Sequence, residues 1–189
     1  MEALLFSTGL VFLAEMGDKT QLLSLLLAAR YPKATLAIIL GILVATLANH
    51  ALAGWIGAFI SQWLADGVLK WGLVATFLAM AVWLLIPDKL DDDETVPQRP
   101  HWQVFFVVCA VFFVAEMGDK TQLATVALGA SYAAELWWVV VGTTLGMMLA
   151  NAPVVLLSSR FAAKIPLQLT RWCAAGLSFL FAIYAALAW

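Results

Sequence analysis

The sequence predicts an all-α membrane protein whose six transmembrane helices form two inverted three-helix repeats, with both termini outside. Three observations predict this fold. The 189-residue chain is 64% hydrophobic and only 12% charged, which is more apolar than a soluble domain can bury. It contains six apolar stretches near the length of about 20 residues that crosses a bilayer. The nonapeptide AEMGDKTQL occurs twice, at 14–22 and at 115–123.

The apolar stretches leave almost no chain for a soluble domain, so any function must reside within the helices or in short loops. The first stretch lacks the basic N-terminal region of a signal peptide and carries the repeated nonapeptide, so we expect it to be retained. The six stretches cover roughly 3–29, 34–60, 68–87, 101–128, 134–159 and 167–188.

The repeat extends beyond the nonapeptide, because residues 12–32 and 113–133 are identical at 13 of 21 aligned positions. Each half contains three crossings, an odd number, so the second half enters the membrane from the opposite side. Such inverted repeats are common in secondary transporters, which bind their substrate near the midplane between the repeats. The predicted units are a first repeat at 1–87, an acidic linker at 88–100 and a second repeat at 101–189.

Basic residues outside the nonapeptides predict the orientation. Seven occur in the first, third and fifth loops, against one in the second and fourth. By the positive-inside rule, the odd loops are cytoplasmic and both termini are outside. We expect the acidic linker to be a solvated cytoplasmic connector, with a weak cation-collecting or regulatory role as the alternative. The basic residues of the odd-numbered loops are Arg30, Lys33, Lys89, Arg99, Arg160, Lys164 and Arg171, and that of the even-numbered loops is Lys70.

The nonapeptide places ionisable side chains inside predicted spans. One such residue at a helix centre costs about 2.5–3.5 kcal/mol, so six cost on the order of 15–20 kcal/mol unless they are compensated. A cost of this size is typical of an ion pathway, and the alternative is a set of buried ion pairs that only join helices. The six residues are Glu15, Asp18, Lys19, Glu116, Asp119 and Lys120.

The spacing within each copy predicts where the carboxylates lie. Glu and Asp are three residues apart, so both are expected to project from one helical face. Gly17 and Gly118 permit either a close helix approach or a local helix break. The pseudo-two-fold axis then brings all four carboxylates to one midplane site. Such an oxygen-rich ligand set suits Ca²⁺, Mg²⁺ and Mn²⁺.

The charges of the six groups suggest how transport is coupled. With both lysines charged the sum is −2, which one divalent cation or two protons would neutralise. We therefore expect cation and protons to compete for the same carboxylates, as in an antiporter. Lys19 and Lys120 each lie four residues after the glutamate of their own copy, where they balance charge; salt bridging or snorkelling is the alternative.

Neutral polar side chains near the nonapeptides are candidates for further ligands or for groups that orient the ligands. The two asparagines are amides in a lipid environment and need partners, so contact between helices is the alternative role. His50 has no counterpart in the second half. We expect it to be a packing residue with satisfied hydrogen bonds, and a proton relay is the alternative. The candidates are Gln21, Gln122, Asn49, Asn151, Thr20 and Thr121.

Other functional classes find little support. No basic stripe indicates nucleic-acid binding, and no nucleophile lies beside a base as a membrane-embedded hydrolase would need. We therefore expect no enzymatic activity and no cofactor. The expected partners are a transported divalent cation, protons and the lipid bilayer. A homodimer is an alternative for so small a transporter, although no patch in the sequence requires it.

A doubled E-x-G-D-[KR]-[ST] motif in two three-helix halves, split by an acidic loop, resembles the Golgi-type calcium/manganese–proton transporter family. The resemblance covers essentially the whole chain, and the small bacterial branch of that family includes manganese exporters of the MneA type. It implies divalent cation–proton exchange, with Glu15, Asp18, Glu116 and Asp119 as cation and proton ligands. It also implies manganese export across the bacterial inner membrane. Calcium stays open as the substrate, and the residues alone leave a cation channel or a structural subunit as alternatives.

Overall fold

The computed structural model describes residues 1–86, 100–157 and 167–188, and within these ranges the chain forms helices joined by turns and short loops, without a β-strand. The all-α prediction is therefore confirmed for the described residues. Their helices are α1 (Glu2–Glu15), α2 (Lys19–Arg30), α3 (Thr35–Ser61), α4 (Asp66–Leu84), α5 (Val104–Ala115), α6 (Lys120–Ser131), α7 (Leu136–Leu157) and α8 (Leu167–Ala188). The predicted linker lies almost entirely outside the described residues, as do Lys89, Arg99, Arg160 and Lys164.

Three helices in the described ranges are long and apolar enough to cross a membrane. They are α3, α4 and the segment Ala133–Leu157, which joins a short 3₁₀ turn to α7. Helix α5 and residues Trp172–Leu187 of α8 are apolar but shorter. Many large apolar side chains point outward, including Trp55, Trp71 and Trp137, as expected where lipid rather than water surrounds the protein.

The first and fourth predicted spans are each broken at the nonapeptide. Helix α1 ends at Glu15 and α2 begins at Lys19, while α5 and α6 are separated in the same way. Gly17 has φ 79° and Gly118 has φ 77°, a left-handed backbone conformation that glycine adopts without a steric penalty. Of the two roles expected for these glycines, the structure therefore shows the local break.

The broken helices lie against the long helices α3 and α7. Helices α1 and α2 pack against α7, whereas α5 and α6 pack against α3. Helices α3 and α7 also contact each other, and α4 packs along α8. Two buried apolar clusters fill the interior, one mainly from α2, α3 and α5 and the other mainly from α1, α4, α6 and α8. This packing holds both breaks between α3 and α7.

Glycines bring the backbones of α3 and α6 into direct contact. A Cβ atom on Gly57 would overlap the carbonyl oxygen of Val126, and one on Gly129 would overlap the carbonyl oxygen of Gly54. A Cβ atom on Gly142 or Gly146 of α7 would likewise lie 2.6 Å from a backbone carbonyl oxygen of α1. Small residues allow this close approach, which is a common source of stability between helices in membranes.

Candidate cation site

Three carboxylates of the two nonapeptides converge in the interior. Glu15, Asp18 and Asp119 each offer an oxygen, and these oxygens lie within 4.8 Å of one another. All three side chains are buried. Ca²⁺ and Mg²⁺ bind oxygen ligands at about 2.0–2.6 Å, so oxygens around one ion lie within about 5 Å of each other. The separation of the three oxygens is therefore compatible with one divalent cation.

Glu116, the fourth predicted ligand, lies outside this group of three. Its side chain is fully buried, and Oε2 accepts a hydrogen bond from Thr121 Oγ1 at 2.9 Å. Its other carboxylate oxygen has no hydrogen-bond partner among the described residues. The structure thus brings together three of the four carboxylates that the sequence places in one site.

The expectation that the Glu and Asp of each copy project from one helical face is wrong, and the alternative of a local break at the glycine is present instead. Glu15 is the last residue of α1, and Asp18 lies in the break, immediately before α2. Asp119 likewise precedes α6. Because the chain turns at the intervening glycine, the aspartate reaches the site through the break rather than by helical periodicity. The convergence that the spacing predicted is therefore produced by a different local structure.

The lysines pair across the two halves, not within each copy. Lys120 Nζ lies 2.8 Å from Asp18 Oδ1, and Lys19 Nζ lies 3.5 Å from Asp119 Oδ1. Each lysine therefore pairs with the aspartate of the other copy. The salt bridges that the sequence left open as a role for the lysines are therefore present, and their partners lie in the other copy of the nonapeptide.

The threonines of the two copies contact the glutamates. Thr20 Oγ1 donates a hydrogen bond to Glu15 Oε2 at 2.6 Å, and Thr121 makes the corresponding contact with Glu116. In each copy this bond spans the break and joins the first turn of the second helix to the end of the first. The threonines are thereby placed to orient the glutamate carboxylates.

The glutamines brace the breaks. Gln21 Oε1 accepts a hydrogen bond from Gly17 N at 2.9 Å, and its Nε2 donates to a backbone carbonyl of α7 at 3.0 Å. Gln122 repeats this pattern, accepting from Gly118 N at 2.6 Å and donating to Asn49 Oδ1 at 2.8 Å. The oxygen and the nitrogen of each amide both form hydrogen bonds, so each glutamine connects its helix break to a long helix.

We expect Gln21→Leu to lower the free energy of unfolding by about 1–3 kcal/mol, because it leaves the Gly17 N–H unpaired in the interior and removes the hydrogen bond to α7. Thermal unfolding in detergent measures this change. Gln62→Leu is the matched control, since the Gln62 side chain is exposed and donates a hydrogen bond to the nearby Ala58 carbonyl rather than to another helix. Equal losses in the two variants would contradict the bracing role.

The two asparagines differ in what they contact. Asn151 Nδ2 lies 3.4 Å from Glu15 Oε2, and Asn151 Oδ1 accepts a hydrogen bond from Ser24 Oγ at 2.7 Å. Asn49 instead contacts Gln122 and a backbone carbonyl of α5. Ser24 was not among the predicted site residues. Its signal in the sequence is a hydroxyl one turn after the glutamine of the nonapeptide, in an otherwise apolar stretch.

His50 is fully buried, and neither of its ring nitrogens has a hydrogen-bond partner among the described residues. The expectation that its hydrogen bonds are satisfied is therefore wrong. Thr46, one turn earlier on α3, is also buried without a partner, and so are Ser7 on α1 and Thr144 on α7. Three helices, α1, α3 and α7, therefore carry buried polar side chains that have no partner among the described residues.

Comparison with known proteins identifies the family. The model of the divalent cation/proton antiporter GDT1 family matches residues 3–92 and 104–188. A Vibrio cholerae protein named "Putative manganese exporter" is 55% identical over 186 residues, covering 98% of this chain and 91% of the relative. A GDT1-like protein of Synechocystis is 30% identical over 208 residues, covering 97% of this chain and 96% of that protein.

GDT1-like protein 5 of Arabidopsis thaliana is 28% identical over 193 residues and covers 84% of each chain. No solved structure matches the chain at a significant level. The family match includes both helix breaks and the three converging carboxylates. The expectation of a transporter rather than an enzyme is therefore confirmed, and the chain belongs to the GDT1 family of divalent cation/proton antiporters.

Proposed function

We propose that this antiporter exports Mn²⁺ from the cytoplasm and binds it at Glu15, Asp18 and Asp119, with Glu116 as the fourth carboxylate of the same transport site. The observation that carries the assignment is the convergence of three buried carboxylate oxygens within 4.8 Å at two helix breaks. Hard oxygen ligands suit Mn²⁺ and Ca²⁺ alike. The choice of Mn²⁺ is supported by the name of the Vibrio relative.

Charge balance supports exchange against protons. Four carboxylates and two lysines carry a net charge of −2 when all are ionised, and a buried site with that charge is unfavourable in lipid. One divalent cation neutralises it, and so do two protons. Cation and protons are then alternative loads for the same carboxylates, so the loading of one requires the release of the other.

We further propose that the two halves are inverted repeats, 1–87 and 101–189, which rock around the site to give alternating access. In this arrangement α1 with α2 forms one span and α5 with α6 forms another, which makes six spans. The glycine contacts support it. Gly142 packs against Leu4, and Gly41 packs against Phe105. Leu4 and Phe105 are 101 residues apart, as are Gly41 and Gly142, so the two contacts occupy equivalent positions in the two halves.

The proposed location is the bacterial inner membrane, with the first, third and fifth loops in the cytoplasm. The excess of lysine and arginine in those loops supports this orientation. The near full-length similarity to a Vibrio protein supports a bacterial setting. In this orientation the proposed export moves the cation towards the side on which both termini lie.

Purified protein in liposomes with an imposed pH gradient tests the function. We expect Mn²⁺ flux, followed with a metal-quenched dye, to track the proton gradient and to disappear in Glu15→Gln and Glu116→Gln. Glu135→Gln is the control, because Glu135 lies on an exposed turn before α7, where its side chain pairs with the N-terminal amine.

The other outcomes separate the alternatives. Mn²⁺ flux that ignores the gradient would indicate a channel, and a gradient-driven flux of Ca²⁺ in preference to Mn²⁺ would indicate a calcium-selective exchanger. Flux that survives both substitutions would exclude the two glutamates from the transport site. A purely structural subunit predicts no more metal entry than into empty liposomes.

A further inference from the structure

Lys120 contacts one of the three converging carboxylates. Its Nζ lies 2.8 Å from Asp18 Oδ1, and the exposed fractions of the two side chains are 4% and 1%. Neither oxygen of Asp18 accepts a hydrogen bond from another described residue. The ammonium of Lys120 is therefore the principal counter-charge of Asp18 in this structure, although Asp18 also lies within reach of a shared cation.

We propose that Lys120 is a tethered competitor of the transported cation, which neutralises Asp18 when the cation is absent and must leave it when the cation binds. The proposal rests on the proposed function, because it takes Asp18 as a cation ligand. A divalent ion and an ammonium on one carboxylate repel each other strongly where little water screens them. Cation binding and the Lys120–Asp18 pair therefore oppose each other.

Lys120 also affects how readily the cation is released. Without Lys120, three carboxylate oxygens within 4.8 Å would be left with less positive charge when the cation departs. The return of Lys120 to Asp18 compensates part of that charge, which favours dissociation. Lys120 therefore weakens cation binding and speeds release, a balance that a carrier needs at every cycle.

Lys19 is the matched comparison that the chain itself provides. It holds the same position in an identical nonapeptide and carries the same charge. Its Nζ lies farther from its partner, 3.5 Å from Asp119 Oδ1, and 25% of its side chain is exposed. Because its ion pair is longer and less buried than that of Lys120, Lys19 is expected to compete less with a cation.

The experiment compares Mn²⁺ binding and transport in Lys120→Met and Lys19→Met. Methionine keeps an unbranched side chain of similar length and removes the charge. In Lys120→Met we expect calorimetric Mn²⁺ affinity to rise about 10-fold or more, and the KM and the maximum rate of flux both to fall. In Lys19→Met we expect Mn²⁺ affinity to rise as well, because a positive charge is also lost there, but by about 3-fold or less, since the Lys19–Asp119 pair is longer and less buried.

Equal tightening in the two variants would show that only net charge matters and would overturn the proposal. Unchanged affinity in Lys120→Met would overturn it as well. If Lys120→Met does not fold, Lys120→Arg decides, because a guanidinium binds a carboxylate through two hydrogen bonds and should weaken Mn²⁺ binding. Unchanged or tighter binding in that variant overturns the proposal. Absence of both Mn²⁺ and Ca²⁺ binding in the unmodified protein would instead refute the proposed function.

Discussion

Asp18→Asn is expected to reduce Mn²⁺ flux by at least about 100-fold. The substitution removes the charge of one of the three converging carboxylates, and it leaves the buried ammonium of Lys120 beside a neutral amide. Flux into liposomes under a pH gradient is the measurement. Asp66→Asn is the control, since Asp66 is exposed in the first turn of α4. Retention of flux in Asp18→Asn would remove Asp18 from the transport site.

The loss of transport in Asp18→Asn has two separable causes. Breaking a buried ion pair costs about 3–5 kcal/mol, so the variant is expected to be less stable as well as inactive. The double variant Asp18→Asn/Lys120→Met removes both charges and should recover most of the stability without recovering flux. Thermal unfolding in detergent measures the stability of both variants. Recovery of both stability and Mn²⁺ flux in the double variant would mean that Asp18 acts only through its ion pair.

Gly57→Ala is expected to lower the free energy of unfolding by at least about 3 kcal/mol. The added Cβ would overlap the carbonyl oxygen of Val126 and would also lie 2.9 Å from Ala130 N. These are backbone atoms of α6, which cannot rotate away as a side chain can. Helices α3 and α6 would have to separate, and α6 begins directly after Asp119 in the cation site. Transport should therefore fall together with stability.

Gly72→Ala is the matched control for this packing effect. Gly72 also lies within a helix, but a Cβ there would meet nothing within 4 Å. Alanine is a better helix former than glycine, so we expect this variant to be stabilised by up to about 1 kcal/mol. Melting temperatures of the two variants in the same detergent provide the comparison. If Gly57→Ala melts no lower than Gly72→Ala, the close approach of α3 and α6 does not contribute to stability.

The sequence by itself determined the all-α class and the family, and it singled out the acidic residues of the two nonapeptides as candidates. These depend on composition and on a nonapeptide repeated letter for letter, both of which can be read without knowing any long-range contact. The glycine within each copy indicated two roles, close packing or a helix break. The choice needed the backbone angle, and φ near 80° at Gly17 and Gly118 identifies the break.

Only the tertiary structure decided which groups meet. The spacing placed each lysine four residues after the glutamate of its own copy but did not identify its partner, and the breaks allow Lys120 to reach Asp18 of the other copy. The partnership of Ser24 with Asn151 and the unpaired nitrogens of His50 likewise depend on neighbouring helices. Two identical nonapeptides have the same local propensities, so any difference in burial between their lysines must come from distant parts of the chain. Long-range packing, which no local pattern encodes, makes one lysine buried and leaves the other partly exposed.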